Sequence, residues 1–389
     1  MADDLLKTLT AQFKTKFGTA PAVAAHAPGR VEVLGNHTDY NEGFVLSAAI
    51  DCGTFFLAAP AADGECRLHA ADLNQECRFA VADPAPSKVM SWANYVKGVL
   101  SGLRGKGPVG KGFVALFGGN VPLGAGLSSS ASLEMCSGLA LARLYGLTVA
   151  PLDLAKIGQS AEHHYAGVKC GLLDQISSLF GRQNALVMSD FRTLAVETVP
   201  LGPEACFLIC NTAVKHSLVE SEYNERRERC EEAARHFATV LPHPVKHLRD
   251  VSWAELEAHR ATMDPVAAKR ATHVIGENTR VLKGRELLAK HDLAGFGKLM
   301  FESHESSRTQ FENSCRELDV LVDAAKAIPA VLGARLSGGG FGGSVVVLVR
   351  VGDAAGVAAK LAAAYKQALG HSCTTMIIRP SDGARLLAG

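Results

Sequence analysis

The chain has 389 residues, 48% of them hydrophobic, and its 40 Lys and Arg nearly balance its 39 Asp and Glu, for a formal net charge of +1. That length is enough for two domains with real cores, and the absence of a basic field argues against nucleic acid or a membrane surface as a partner. Because the ten cysteines include no CxxC pair, we expect free thiols in a reducing cytoplasm.

The first 17 residues predict an amphipathic helix that packs on the rest of the chain. Apolar side chains recur there at helical spacing, at Leu5, Leu6, Leu9, Phe13 and Phe17. This start lacks the pattern of a secretory signal, and the densest apolar run, SVVVLV, is too short to cross a bilayer. We therefore expect a cytoplasmic protein without a transmembrane segment.

Strand and helix patterns alternate along the rest of the chain. Before about residue 200 they predict strands at 22–26, 54–59, 67–71 and 112–117 and helices at 129–145, 152–165 and 172–180. After it they predict a strand at 206–210, a charged helix at 221–237, further helices to about 327, strands near 334 and at 344–349, a helix, and a strand at 374–379. This order indicates an α/β or α+β protein whose second half resembles a split βαβ sandwich. The break at VPLGPEA divides it into domains 1–202 and 203–389.

The segment GNVPLGAGLSSSA, residues 119–131, combines flexible glycines with three consecutive hydroxyls before a helix. Gly124 and Gly126 free backbone N–H groups where the helix begins, which favours anion binding. Ser128, Ser129 and Ser130 supply N-cap hydroxyls, and any of them is also able to donate to a phosphate or to bind magnesium. The alternative is a well-capped helix without a ligand.

Two further glycine-rich stretches resemble nucleotide motifs only formally. GKGPVGKG has Gly112 where a P-loop needs Ser or Thr, and GGGFGG at 338–343 is not followed by the acidic residue of a dinucleotide-binding unit. Neither motif is therefore accepted. The five glycines of GGGFGG nevertheless bring backbone close either to a ligand or to another chain segment.

Three stretches carry polar side chains suited to chemistry. The first places Arg30, Asn36, His37, Asp39 and Tyr40 within eleven positions, which suits a loop that binds a polyhydroxylated ligand, although a polar surface loop is the alternative.

The second stretch carries Glu162 late on one helix and Asp174 at the start of another, two hard oxygen groups suited to magnesium and to proton transfer. His163 and His164 lack a zinc-ligand spacing and are expected to be structural. In the third, SLVESEYNERRERCEE, either the helix face is simply solvated or Tyr223 adds a phenol to a pocket.

Five motifs follow one another from about residue 20 to 350: GRVEVLGNHTDYNEGFVL, VPLGAGLSSSASLE, AEHHYAGVKCGLLDQ, SHESSRTQFENSCRELDVLV and LSGGGFGGSVVVLV. In this order they resemble the motifs of galactokinases, members of the GHMP family of small-molecule kinases. The resemblance implies an α+β GHMP kinase fold: an N-terminal domain like the second domain of ribosomal protein S5 and a ferredoxin-like C-terminal domain, with the site between them. It also implies ATP-dependent phosphorylation of the anomeric hydroxyl of galactose to galactose 1-phosphate, in Leloir-type galactose metabolism, with Mg²⁺ and by a monomer.

The resemblance also assigns roles to individual residues. Asp174 matches the catalytic aspartate and Arg30 its partner, while Ser130 and Glu162 match magnesium ligands. The residues that match the binding site of the ATP phosphates are Gly124, Ala125, Gly126, Leu127, Ser128, Ser129 and Ser130. Those that match the border of the adenine are Trp92 and Asn94. The residues that match the sugar-binding site are Asn36, His37, Asp39, Gly171 and Tyr223. By the same resemblance, the backbone at Gly339 and Gly340 closes over the sugar.

One departure concerns the sugar. Galactokinases usually have Glu where this chain has Asn36, and commonly have Asn where it has Glu32, so the two residues are interpreted as having changed places or as altering specificity. A kinase for a related sugar, such as galacturonate or N-acetylgalactosamine, is therefore an alternative. A non-catalytic sugar sensor is another, although GLSSSAS and Asp174 are intact.

Overall fold

The computed structural model describes residues 2–122, 125–215 and 219–387. The strands, in chain order, are β1 (Val23–Leu34), β2 (Phe44–Pro60), β3 (Glu65–Ala70), β4 (Gln75–Ala80), β5 (Phe113–Gly119), β6 (Ala185–Asp190), β7 (Ala195–Pro200), β8 (Ala205–Lys215), β9 (Val331–Ser337), β10 (Gly342–Arg350), β11 (Thr374–Ile378) and β12 (Arg385–Leu386). The helices are α1 (Ala2–Phe17), α2 (Asn94–Arg104), α3 (Ser129–Leu144), α4 (Pro151–Ala161), α5 (Leu173–Phe180), α6 (Val219–Val240), α7 (Trp253–His259), α8 (Pro265–Ala289), α9 (Leu293–Ser306), α10 (Arg316–Lys326) and α11 (Ala354–Leu369).

The described strands form two sheets. The first has the order β12-β1-β2-β5-β3-β4, with β6 joined to β2 and β7 joined to β6. Its strands pair antiparallel except for β3 and β5, which run parallel. The second sheet has the order β11-β8-β10-β9 and is antiparallel.

The first sheet is covered on both faces, which explains the nearly continuous apolar sequence of β2. Alternate side chains of a strand point to opposite faces. Accordingly, Phe55 and Leu57 pack with Leu9 and Phe13 of α1, whereas Phe56 and Ala58 belong to the core under helices α2, α3 and α4. These contacts confirm the predicted amphipathic N-terminal helix.

A shared core joins the two sheets into one packed body. Leu34 and Leu46 of the first sheet lie in the same buried cluster as Phe207 and Leu348 of the second and Phe296 of α9. The opposite face of the second sheet packs against α10 and α11. The edge at which the sheets meet carries the start of α3, the start of α5 and the β9–β10 turn.

The main helices and strands agree with the sequence expectations, but two expectations were wrong. The predicted loop around residue 30 is the second half of β1, so Arg30 lies on a buried strand; fully covered strands lack the alternation that identifies them. Glu162 does not end a regular helix but begins a single π-helical turn, Glu162–Ala166, after α4. The elements α2, β4, β6, β7 and β12 were not predicted. Within the part of the chain that the structure describes, no helix is long and apolar enough to span a membrane.

Candidate active site

A polar cavity of about 540 Å³ opens where the two sheets meet. It brings together seven residues singled out from the sequence: Arg30, Asn36, His37, Asp39, Gly171, Asp174 and Tyr223. They come from β1, the turn after it, the segment before α5, the first turn of α5, and α6, and the β9–β10 turn adds Gly338 and Gly339. We call this space the sugar cavity, after the polyhydroxylated ligand that its residues predict.

Asp174 is held by two partners at the edge of the sugar cavity. Arg30 donates from Nε to Asp174 Oδ1 over 2.7 Å and pairs with the same carboxylate through its second nitrogen, while the Ser128 hydroxyl donates to Oδ2. Ser128 stands at the N-cap position of α3 with a left-handed backbone (φ 55°) and makes no side-chain cap. The expected capping role is therefore wrong for Ser128, because its hydroxyl is turned toward the carboxylate.

The segment 125–128 keeps its carbonyl oxygens on the protein side. Ala125 O accepts from Ser344 Oγ, Gly126 O from the Arg30 guanidinium, and Leu127 O from the Arg30 backbone N–H, at 2.9, 2.6 and 3.1 Å. Because the N–H of a planar trans peptide points opposite to its C=O, the N–H groups of 126–128 point away from these partners. Among the described residues none accepts from them, and Gly124 lies outside the described residues.

His37 and Tyr223 form an aromatic wall of the sugar cavity, and Tyr40 packs against both rings. The His37 ring lies 5.1 Å from Tyr223 and its Nδ1 is 2.9 Å from the Tyr40 hydroxyl. Burial lowers the pKa of His37 to about 4, so its ring is neutral at physiological pH. Burial likewise raises the pKa of Tyr223, whose phenol stays protonated and able to donate.

Asp39 packs against Gly171. A Cβ at Gly171 would overlap the Asp39 carboxylate, so a larger residue there would displace that side chain. Burial, followed by the negative charge of Glu32, raises the pKa of Asp39 to about 6.

The Asn36 side chain is fully engaged by protein groups although it borders the sugar cavity. Its Nδ2 donates to Glu32 Oε1 at 3.0 Å and to Gly338 O at 2.7 Å, and its Oδ1 accepts from Asn313 Nδ2 at 3.0 Å. Asn36 is 1% exposed. Its amide therefore positions the β9–β10 turn and Glu32.

The sequence singled out Glu32 only as a departure beside Asn36, and it gave no sign of Glu277. Glu32 borders the sugar cavity, and it follows Arg30 by two positions on the same strand, a spacing that puts both side chains on one face once the segment is recognised as a strand. Glu277, on α8, accepts from the backbone N–H groups of Gly35 and Asn36 at 2.9 Å each. It is a buried carboxylate distant in sequence, which no local pattern singles out.

A second cavity, of about 590 Å³, is bordered by the start of α3. Four predicted residues border it, Trp92, Asn94, Ser129 and Ser130, together with Leu73, Tyr95 and Phe117, which were not predicted. We call it the aromatic cavity. The Asn94 amide is engaged, since Nδ2 donates to the Ser87 and Tyr165 carbonyls and Oδ1 accepts from the Ser87 N–H. Because these bonds engage its amide, Asn94 helps to hold the wall of the aromatic cavity in place.

Ser130 and Glu162 form a small oxygen-rich group beside Asp174. Burial raises the pKa of Glu162, the nearby Ser130 hydroxyl lowers it and the charge of Asp174 raises it. Behind them, burial and then the charge of Glu162 raise the pKa of Glu134 well above its usual range, and Glu134 Oε1 has no partner among the described residues. Glu162 itself borders neither of the two cavities.

This group fits a magnesium ion bound largely by substrate. The described residues contain no group of three or more His, Cys, Asp or Glu that is able to hold a metal. Mg²⁺ usually takes one or two carboxylates and fills its remaining positions with water and substrate phosphates. The Ser130 hydroxyl and the Glu162 carboxylate, with Asp174 beside them, meet that requirement.

Three family models match the chain. The galactokinase galactose-binding signature matches residues 11–60, the GHMP kinases N terminal domain residues 94–182 and the GHMP kinases C terminal model residues 285–367.

Whole-length relatives agree with these matches. The galactokinase of Roseiflexus sp. (strain RS-1) is 39% identical over 96% of this chain and 95% of its own length. That of Haemophilus influenzae (strain ATCC 51907 / DSM 11121 / KW20 / Rd) is 39% identical over 96% of this chain and 97% of its own. The crystal structure of Lactococcus lactis galactokinase complexed with galactose superposes with a TM-score of 0.92 at 34% identity, covering 98% of this chain and all of the other. A mevalonate kinase structure reaches a TM-score of 0.64 over 93% of this chain and all of its own, and at 19% identity it concerns the fold alone.

Proposed function

The chain belongs to the galactokinases of the GHMP kinase family, and from this premise we propose how its residues phosphorylate galactose. It has the mixed α/β fold of GHMP kinases and uses ATP. The observation that carries the residue assignments is the contact of Asp174 with both Arg30 and Ser128. This contact stands between a polar cavity suited to a hexose and an aromatic cavity suited to a nucleobase.

Galactose occupies the sugar cavity with its anomeric hydroxyl against Asp174. The cavity offers acceptors in the Asp39 and Asp174 carboxylates and a donor in the Tyr223 phenol, a mixture that pairs with hydroxyls of a hexose. Both nitrogens of the neutral His37 ring are engaged by Tyr40 and Gly339, so His37 supplies a wall and no free donor. Gly171 lets Asp39 lie along the cavity wall. Asn36 supports this wall from behind.

Asp174 orients the hydroxyl and accepts its proton. The anomeric oxygen forms a bond to the γ-phosphorus as the bond from that phosphorus to the ADP oxygen breaks, and the electron pair leaves with ADP. Because the transition state of phosphoryl transfer is loose, orientation matters more than early deprotonation. Arg30 holds the carboxylate in place and adds positive charge near the transferred group.

The phosphates are bound by the free N–H groups of 126–128 and by the N-terminus of α3, whose dipole favours negative charge. Glycine at 124 and 126 avoids a Cβ that would hold the phosphates away. Ser130 and Glu162 would hold Mg²⁺, which when bound supplies the positive charge that neutralises the phosphates.

The adenine occupies the aromatic cavity. Trp92, Tyr95 and Phe117 provide rings, and Leu73 adds an apolar contact. Trp92 is fixed by the bond from Nε1 to Gln75 Oε1 at 2.8 Å.

We further propose that residues 1–202 and 203–389 form the two domains, that the enzyme is monomeric and that it works in the cytoplasm. The break at residue 202 falls between the strands of the two sheets, except that β12 returns to pair with β1. All ten cysteines are free, as a reducing compartment would keep them.

The test is a substrate panel. The purified protein is incubated with ATP, MgCl₂ and either galactose, galacturonate or N-acetylgalactosamine, and ADP release is followed by a coupled assay. We expect rapid turnover of galactose only, and ³¹P NMR of the product should show an anomeric phosphate. Sugar and ATP binding without ADP release would instead identify a sensor, and a phosphate on another hydroxyl would contradict the role of Asp174.

A further inference from the structure

Glu32 brings a carboxylate to the sugar cavity that none of the roles above uses. It is 5% exposed and borders the cavity together with Asn36 and Asp39. Its Oε1 accepts from the Arg335 guanidinium at 2.9 Å and from Asn36 Nδ2 at 3.0 Å. Arg335 is fully buried, so the pair anchors the Glu32 side chain in one orientation.

The second oxygen of Glu32 remains available. Among the described residues no group donates to Oε2, and the atom is not sealed in the interior, because Glu32 contributes to the cavity surface. The negative charge of Glu32 acts on two other groups of this cavity, raising the pKa of Asp39 and of Tyr223. Glu32 is thus electrostatically coupled to the place where the sugar binds.

The neighbouring amide has no comparable freedom. Both donors of Asn36 Nδ2 and its Oδ1 are bonded to Glu32, Gly338 and Asn313. At this part of the wall a ligand therefore meets the carboxylate at position 32 and not the amide at position 36.

The charges around the cavity determine which ligands this carboxylate admits. Three carboxylates border it, from Glu32, Asp39 and Asp174. Of the cations, Arg30 is paired with Asp174 and Arg335 lies behind Glu32, which leaves the exposed Lys169 at the border. A carboxylate on the sugar would be desolvated against like charge, whereas a hydroxyl is able to donate to Glu32 Oε2.

We infer that Glu32 determines sugar specificity: its free oxygen accepts a hydrogen bond from one hydroxyl of the sugar, and its charge excludes sugars that carry a carboxylate. This inference rests on the proposed function, because it concerns the same sugar cavity. Of the two interpretations that the sequence left open, it favours the one in which Glu32 and Asn36 have changed places.

The experiment compares Glu32→Gln with the wild type on galactose and galacturonate. A hydrogen bond to a charged group corresponds to about a tenfold effect or more, so we expect the variant's KM for galactose to rise about tenfold with kcat nearly unchanged. We expect the ratio of kcat/KM for galactose over galacturonate to fall by about tenfold or more, by the same reasoning. Glu32→Asp keeps the charge, and so it should keep the exclusion of galacturonate while binding galactose less well.

A series of monodeoxygalactoses identifies the hydroxyl. One deoxysugar should bind the wild type less tightly than galactose does, but should bind Glu32→Gln as tightly as galactose does. The reason is that the substitution and the missing hydroxyl remove the same hydrogen bond. Glu277→Gln is the matched control, a buried carboxylate that does not border the cavity. It should lower stability and affect all sugars in parallel.

The experiments distinguish an error in the proposed function from an error in the role of Glu32. If the wild type does not turn over galactose, the proposed function is wrong. Glu32 is only structural if the wild type is active, Glu32→Gln changes kcat/KM for galactose and galacturonate in parallel, and the effect of Glu32→Gln is the same with every deoxysugar. Should Glu32→Gln not fold, as judged by circular dichroism, then loss of galacturonate exclusion in Glu32→Asp overturns the inference, and its retention with a raised KM for galactose supports it.

Discussion

At the scale of single residues, the carboxylates of the site differ in their surroundings. Asp174 is bonded to a guanidinium and a hydroxyl, which hold its two oxygens in a defined orientation. Asp39 lies beside Glu32, and burial together with that charge raises its pKa to about 6. The first arrangement suits a group that touches the reacting hydroxyl, and the second suits one that binds.

Asp174→Asn tests the catalytic role directly. The amide keeps the shape of the side chain but no longer accepts the proton, so we expect turnover to fall by about a thousandfold, within the range for general bases. Galactose affinity, measured by calorimetry, should stay within about tenfold. Asp323→Asn, on an exposed carboxylate of α10, is the control and should turn over galactose normally. Unchanged turnover in Asp174→Asn would remove this residue from the mechanism.

Asp39→Asn tests the raised pKa through stability. A carboxyl whose pKa is higher in the folded than in the unfolded protein favours folding below the unfolded value of 3.8, and this contribution is lost as the pH rises to about 6. Relative to the wild type, Asp39→Asn should therefore gain about 2 kcal/mol of unfolding free energy between pH 4 and pH 6.5. Urea titrations across this range measure it, and a flat difference would show that Asp39 is not perturbed.

At the scale of elements, the segment 125–128 depends on both sheets. Ser344, on β10, donates to Ala125 O, while Arg30, on β1, donates to Gly126 O and Leu127 O. These bonds hold the carbonyl groups on the protein side and so leave the N–H groups for the phosphates. A residue of the second sheet thereby supports the nucleotide site of the first.

Ser344→Ala removes one of these bonds without touching either cavity. We expect the KM for ATP to rise by about fivefold, the equivalent of one neutral hydrogen bond, with the KM for galactose unchanged. Ser381→Ala removes a bond of the same kind, from Oγ to Ile50 O at 2.6 Å, which involves no atom of the segment, and the KM values for ATP and galactose should stay unchanged. Equal changes for ATP and galactose would mean that the segment is not what Ser344 supports.

At the scale of the whole molecule, the shared core between the sheets makes them depend on each other. Leu34, Leu46, Phe207 and Leu348 are all fully buried in it. Because this shared core is buried only when the two sheets are packed together, we expect one cooperative unfolding transition.

The two tryptophans report on the two halves separately. Trp92 lies in the first half and Trp253 in the second. In the single-tryptophan variants Trp92→Phe and Trp253→Phe, fluorescence should give coincident denaturation midpoints. In either background, Phe207→Ala should lower the unfolding free energy by about 3–5 kcal/mol. Two separated transitions would contradict the single packed body.

Much of the site was predicted because its motifs are local. The spacing around 119–131 predicted a helix start with an anion site, and the helix does begin at Ser129. Asp174 was placed at the start of a helix, and it lies in the first turn of α5. Where the chemistry depends on neighbours in sequence, composition and spacing were sufficient. The domain boundary at residue 202 stays a prediction.

The sequence by itself determined the order of most elements, the motifs and the family, because these depend on residue types at short spacing. Only the tertiary structure decided what individual polar groups do. Ser128 bonds Asp174 and does not cap its helix, while Asn36 is occupied by Glu32, Gly338 and Asn313. These partners lie as far as 302 residues away in sequence. A polar group's role follows from which buried donors and acceptors surround it, and long-range packing alone brings those together.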